Sequence, residues 1–100
     1  MKRGEIWRVV RAGRERSVVI VGHDALTLER DAVLVVPLSE VIGASLVQPH
    51  LADNAGRPVG VALTPRVGEI AKGYLKAPRG ELEAASGESL DIALRAALDL

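Results

Sequence analysis

The chain has 100 residues, 48% of them hydrophobic, with 13 Lys+Arg balanced by 13 Asp+Glu, no cysteine and no phenylalanine. That length supports one core rather than two, so a single domain over residues 1–100 is expected. Without cysteine there is no disulfide framework and no thiolate nucleophile, and the two histidines, His23 and His50, are too few for an all-histidine metal site.

Residues 4–10 are expected to form a strand with Trp7 and Val9 on one face and Ile6, Arg8 and Val10 on the other. Ala12-Gly13-Arg14-Glu15 is polar and contains glycine, so the chain is expected to turn there. Val18-Val19-Ile20-Val21 and Ala32-Val33-Leu34-Val35-Val36 are short and β-branched, which fits strands covered on both faces, the second ended by Pro37. Residues 22–31 between them are read as a loop. A weaker strand spans residues 46–51, where Pro49 removes a ladder donor and points to a sheet edge. Asp53-Asn54-Ala55-Gly56 reads as a turn, and the alternation of Val59, Val61 and Leu63 as a half-buried strand. Another short strand falls within residues 74–82, interrupted by Pro78 and Gly80. From Ser86, a candidate N-cap, Leu90, Ala93, Leu94, Ala97 and Leu98 make one helical stripe. Five or six strands and one helix predict a mainly β protein with a C-terminal helix, its sheet strongly curved or rolled into an SH3-like partial barrel. Strands apolar on both faces need more cover than one helix supplies, so a homodimer is expected.

The longest apolar run lacking proline is far short of the ~20 residues that cross a bilayer, and residues 1–7 lack the apolar stretch of a signal peptide. The expectation is a cytoplasmic protein with no membrane association. Its charge is uneven. Residues 1–16 hold six basic and two acidic residues, whereas residues 81–100 hold Arg95 against Glu81, Glu83, Glu88, Asp91 and Asp99. Local potential of this kind can draw a polyanion to one face, although a strand-end arginine is more often a solvated guard against edge pairing.

No phosphate loop, nucleophile elbow or metalloprotease motif is present. The remaining inventory of Arg, Ser, Thr, Glu, Asp and His suits RNA phosphodiester cleavage without metal or cofactor. There the substrate's own 2′-hydroxyl is the nucleophile, and the protein must hold the phosphate, offset developing charge and move protons. Arginine's fork and a hydroxyl donor both match phosphate oxygens. Arg11 and Arg14 are candidate contacts to the RNA backbone, and Glu15 and His23 are candidate proton acceptors within the same RNA-binding set. Trp7 reads as core more than as a base-stacking platform, and His50 as surface.

Arg3-Gly4-Glu5-Ile6-Trp7, followed by a short polar loop and Arg16-Ser17-Val18-Val19-Ile20-Val21, resembles the opening of the MazF/PemK family of toxin endoribonucleases. Gly22-His23-Asp24-Ala25 stands where the family has S-N-D-A. Residues 33–39, VLVVPLS, resemble its V-V-P-(I/L)-T segment, and residues 93–100 resemble its closing helix. The resemblance implies a dimeric, SH3-like (CcdB/PemK-like) toxin domain that cleaves single-stranded RNA, leaving a 2′,3′-cyclic phosphate and a 5′-hydroxyl, and that is silenced by an acidic antitoxin. It implies Arg16 as the catalytic arginine and Ser39 as the hydroxyl that binds the scissile phosphate. Departures are the short first loop, Ser17 in place of proline, His23 in place of asparagine, and residues 63–69, LTPRVGE, where the family's (E/D)-Q-I-R-(T/S) motif has a glutamine. Two alternatives share the architecture: a CcdB-like toxin that binds gyrase, whose closing aromatic residue this chain lacks, and a non-catalytic SH3-like module whose basic hairpin binds an acidic peptide.

Overall fold

Ala12 and Gly13 both lie at positive φ, 52° and 76°. Two such residues make the hairpin turn whose twist matches that of the strands it joins. They connect β1 (Glu5–Arg11) to β2 (Arg14–Ile20), with Arg11 opposite Arg14 at the tip. The turn is therefore tighter than residues 12–15, because Arg14 and Glu15 already belong to β2. The computed structural model describes residues 1–41, 43–45 and 47–99. After β2 come α1 (Asp24–Glu29), β3 (Ala32–Ser39), β4 (His50–Ala52), β5 (Pro58–Ala62), β6 (Gly68–Ala71), β7 (Leu75–Glu81) and α2 (Ala84–Ala97). Among the described residues the strands form one curled antiparallel sheet in the order β4-β5-β3-β2-β1-β7, with β6 also paired to β3.

Strand β3 organises this sheet. Along one edge it pairs with β2, and along the other it pairs first with β6, from Ala32↔Ala71 to Val35↔Gly68, and then with β5, at Leu38↔Ala62 and Ser39↔Val61. The change of partner falls at Pro37. Leu63 N–H donates to the Pro37 carbonyl at 2.9 Å, but proline has no N–H with which to complete the ladder pair. Pro37 thus parts β5 from β6 without ending β3, which continues to Ser39 and corrects the expectation that the strand stops at the proline.

Both faces of the sheet are apolar. Ile6, Val19, Val21, Val36, Leu38 and Leu51 meet Leu90 and Leu94 of α2. On the opposite face Val9, Val18, Ile20, Val33, Val35 and Leu75 pack together under Met1, Trp7 and Ile70. The doubly covered strands are as the sequence implies, and Trp7 packs against the core as expected. Their second cover, however, comes from the curl of this chain's own sheet.

Other differences have local causes. The segment read as a loop contains α1, where His23 Nδ1 accepts the Ala25 N–H at 3.2 Å and Thr27 is buried. Strand β6 was not anticipated, because Gly68, Glu69, Ile70 and Ala71 show no clear alternation. Leu46, where a weak strand is expected to begin, lies outside the described residues, as does Leu100; the strand itself covers His50–Ala52. Helix α2 begins two residues before Ser86. Ser86 is buried inside its first turn, where its hydroxyl accepts the Ala52 N–H at 2.9 Å and donates to Glu83 at 3.2 Å. Leu90, Ala93 and Leu94 are buried, whereas Leu98 is 51% exposed, so the apolar stripe outruns the core. Among the described residues no helix is long and apolar enough to cross a membrane.

Candidate active site

The register of β2 against β3 sets Val18 against Pro37. That pairing ends there, and two residues further along each strand stand Arg16 and Ser39, on the face that carries Val18 and Val35. Arg16 is exposed and Ser39 half-buried. Together with Glu15, Glu40, Leu63 and Arg66 they line a cleft of about 540 Å³. Ser39 lies at the very end of β3, and its hydroxyl accepts the Val41 N–H at 3.3 Å. The backbone beyond the strand is thereby tied to the side chain that faces the cleft.

Arg66 was not singled out from sequence. It closes the 3₁₀ turn Thr64–Arg66, which sits in the gap between β5 and β6 and is held by Arg66 N–H to Leu63 O at 2.9 Å. Thr64 is fully buried and donates to the Val47 carbonyl, fastening the segment after β3 to this turn. The sequence offers one local sign of the arrangement, Pro65 at the start of the turn. The departure of β6 from β5, which aims Arg66 at Ser39's cleft, is a tertiary feature.

A second cleft, of about 710 Å³, continues from the first along the hairpin. Arg11, Arg14, Arg16 and Arg66 stand over Val9, Val18 and Val35 there. Arg16 and Arg66 line both clefts, so the arginines form one connected band. Among the described residues Arg14, Arg16 and Arg66 have no acidic partner within ion-pair distance, while Arg11 lies 5.2 Å from the Tyr74 ring centroid, a cation–π contact.

Glu15 lines the Ser39 cleft, with one carboxylate oxygen 3.0 Å from Arg79 and the other 3.7 Å from Arg8. His23 is not brought to this cleft. It borders a separate cavity of about 240 Å³ with Leu26, Arg30, Leu34 and Glu69, and its Nδ1 is occupied by the α1 cap. At the start of the chain, partial burial pushes the Glu5 carboxyl up, but the Lys2 N–H, the Trp7 indole N–H and nearby positive charge outweigh it and hold the group below its ordinary range. Among the described residues no three His, Asp or Glu side chains converge as a metal site would require.

The curled sheet and the C-terminal helix place the chain in a known structural class. It matches an endoribonuclease in complex with its cognate antitoxin from a mycobacterial species, with a TM-score of 0.89 at 20% identity, over 100% of this chain and 96% of that one. A second mycobacterial endoribonuclease gives 0.87 at 21%, over 100% and 92%. A MazE–MazF complex from Deinococcus radiodurans gives 0.84 at 14%, over 100% and 96%. The fold is thus that of the MazF toxins, as the resemblance of the short sequence segments implies. No family model and no curated protein sequence matches the chain.

Proposed function

We propose that this protein is a metal-independent endoribonuclease, the toxin of a toxin–antitoxin pair, which cleaves single-stranded RNA by attack of the substrate's 2′-hydroxyl. The observation that carries this reading is the convergence of Arg16, Arg66 and Ser39 on one cleft. Guanidinium groups and a hydroxyl donor match the non-bridging oxygens of a phosphodiester, and they act most strongly where water is partly excluded. In the proposed complex Ser39 donates to a phosphate oxygen. Arg16 offsets the charge that develops as phosphorus becomes five-coordinate and stands on the side where the leaving 5′-oxygen is protonated. The products are a 2′,3′-cyclic phosphate and a 5′-hydroxyl.

Arg11 and Arg14 extend the band of positive charge along the hairpin and contact the RNA backbone. Glu15 belongs to the same RNA-facing wall, where its carboxylate pairs with Arg8 and Arg79. The same band suits an acidic antitoxin segment, and exposed Leu26 and Leu34 leave apolar surface for a second copy in a cytoplasmic homodimer. The test is incubation of the purified protein with mixed-sequence single-stranded RNA in EDTA. Cleavage to cyclic-phosphate ends, lost in Arg16→Ala, is the expected result. RNA left intact by the wild type, or cut equally well by Arg16→Ala, refutes the mechanism.

A further inference from the structure

Val61 has two cross-strand partners. It stands opposite Ser39 of β3 on one side and opposite His50 of β4 on the other. Cross-strand partners share a face, so Ser39, Val61 and His50 form a single row across the sheet, and Arg16 of β2 lines the cleft on the other side of Ser39. With strands about 4.8 Å apart, His50 lies roughly 10 Å from Ser39 at the backbone, on the side away from Arg16. The opposite face of β4 is apolar, with Leu51 packed against Leu90 and Leu94 of α2.

A cleft of about 350 Å³ opens there, lined by Ser39, Glu40, Gly43, Ala44, His50 and Gly60. Ser39 and Glu40 also line the arginine cleft, so two open spaces meet at the Ser39 side chain, one walled by guanidinium groups and the other by an imidazole. His50 is exposed, and among the described residues no hydrogen bond or ion pair holds its ring. Of the other ionisable groups near Ser39, Glu15 faces two arginines, while among the described residues Glu40 is the one carboxylate that lines the His50 cleft; β5 adds Pro58, Gly60 and Val61, which do not titrate.

In-line displacement at phosphorus places the attacking and leaving oxygens on opposite sides, so its proton acceptor and its proton source belong on opposite sides of the bound phosphate. Arg16 on β2, Ser39 on β3 and His50 on β4 stand in that order across the sheet. Resting on the RNA-cleavage reading above, we infer that His50 is the catalytic base that accepts the proton of the attacking 2′-hydroxyl. The 2′-oxygen to phosphorus bond forms as the phosphorus to 5′-oxygen bond breaks, and the 2′-hydroxyl proton passes to the imidazole. The departing 5′-oxygen takes a proton from a water polarised by Arg16. The hydroxide left behind is neutralised, through solvent, by the proton on His50. Imidazole is the side chain whose ordinary titration spans neutral pH, which suits it to this exchange.

The experiment is the pH dependence of RNA cleavage between about pH 5 and 9 for the wild type, His50→Gln, His50→Ala and Glu40→Gln. The wild type is expected to lose activity tenfold per pH unit on the acid side, as the base becomes protonated. His50→Gln is expected to cleave ~10²–10⁴-fold more slowly and to lack that acid limb, with little change in KM. His50→Ala is expected to regain rate with added imidazole, and Glu40→Gln to keep the limb. Circular dichroism and thermal melting of the variants show whether the fold is intact, which is expected for an exposed side chain. Full rate in His50→Gln, slower cleavage that retains the acid limb, or loss of that limb in Glu40→Gln each overturns the assignment. Wild-type protein that cuts no RNA overturns the underlying function instead.

Discussion

Gly60 crosses Ser39 so closely that a β-carbon on it would come within 2.8 Å of the Ser39 carbonyl oxygen, and its φ of +116° is one that side chains rarely adopt. Gly60 precedes Val61, the residue of β5 that pairs with Ser39, and lies beside the register shift between β4 and β5. Gly60→Ala must therefore push β5 and β3 apart at the residue proposed to hold the scissile phosphate. It is expected to cost about 1–3 kcal/mol in stability, from strain and overpacking together. Activity measured well below the melting temperature should fall more than that loss of stability explains, because Ser39 moves. Urea denaturation combined with cleavage rates on the same preparation checks it; an alanine variant with wild-type stability would mean that the strands are not so tightly joined.

Arg16 and Arg14 lie on the same face of β2 two residues apart, yet different consequences are expected from losing them. Arg16 meets the transition state, so Arg16→Ala should lower kcat by ~10²–10³-fold. Arg14 faces the larger cleft alone, away from Ser39. Arg14→Gln should weaken RNA binding at all sequences, reduce the slope of log affinity against log salt by about 1, and leave kcat near that of the wild type. Salt titrations of binding and single-turnover rates separate the two effects.

The parts of this molecule that were legible in the sequence are those written in local pattern. β-branched runs mark β2 and β3, the aspartate-to-glycine turn at residues 53–56 is held by Asp53 as expected, and Leu90, Ala93 and Leu94 mark the buried stripe of α2. Pro37 misled, since a proline stops a strand only where its missing N–H would have been needed, and here that edge is the one being handed from β6 to β5. Ser86 misled for the opposite reason: it is the kind of residue that caps helices, but its partner is Ala52, far along the chain. Arg16 and Ser39 stand out in the sequence only through the family resemblance. Their shared cleft, and the place of Arg66 and His50 around it, depend on which strand lies beside which, and no single segment encodes that.

Glu5 gives the fold an acid-sensitive contact. Its carboxylate accepts the Lys2 N–H at 2.6 Å and the Trp7 indole N–H at 3.3 Å, and its pKa lies below the unfolded value of 4.5. A depressed carboxyl contributes stability that is fully present above the unfolded pKa and is lost as pH falls through the folded one, because the unfolded chain takes up the proton first. Glu5→Gln should therefore destabilise the protein at pH 7, with the gap to the wild type narrowing as pH drops below 4.5. Thermal melts of both proteins across that range test it, and a gap that does not change with pH would remove Glu5 as the source.

His23 caps α1 and lies on a cavity separate from Ser39. His23→Ala is expected to cost about 0.5–1 kcal/mol, as the loss of a cap does, while cleavage at saturating RNA stays unchanged. A cleavage defect with unchanged stability would instead return His23 to the RNA-contacting set.

Ser86 links the C-terminal helix to the strand that carries His50. Its hydroxyl satisfies the N–H of Ala52, two residues from His50 at the other end of β4, and β4 is only three residues long. Ser86→Ala leaves that N–H without its partner inside a half-buried joint, at a cost of about 1–2 kcal/mol. Because β4 is an edge strand held on one side by β5, the loosening is expected to be greatest at β4 itself, so amide exchange at Leu51 and Ala52 should accelerate more than in β2 or β3. If His50 takes the proton of the attacking hydroxyl, the same variant should cleave RNA more slowly at every pH while keeping the acid limb of the profile, since the base is displaced but still present. Slower exchange at β4 than at the central strands, or a cleavage rate indifferent to the variant, would show that β4 does not hold the reacting group in place.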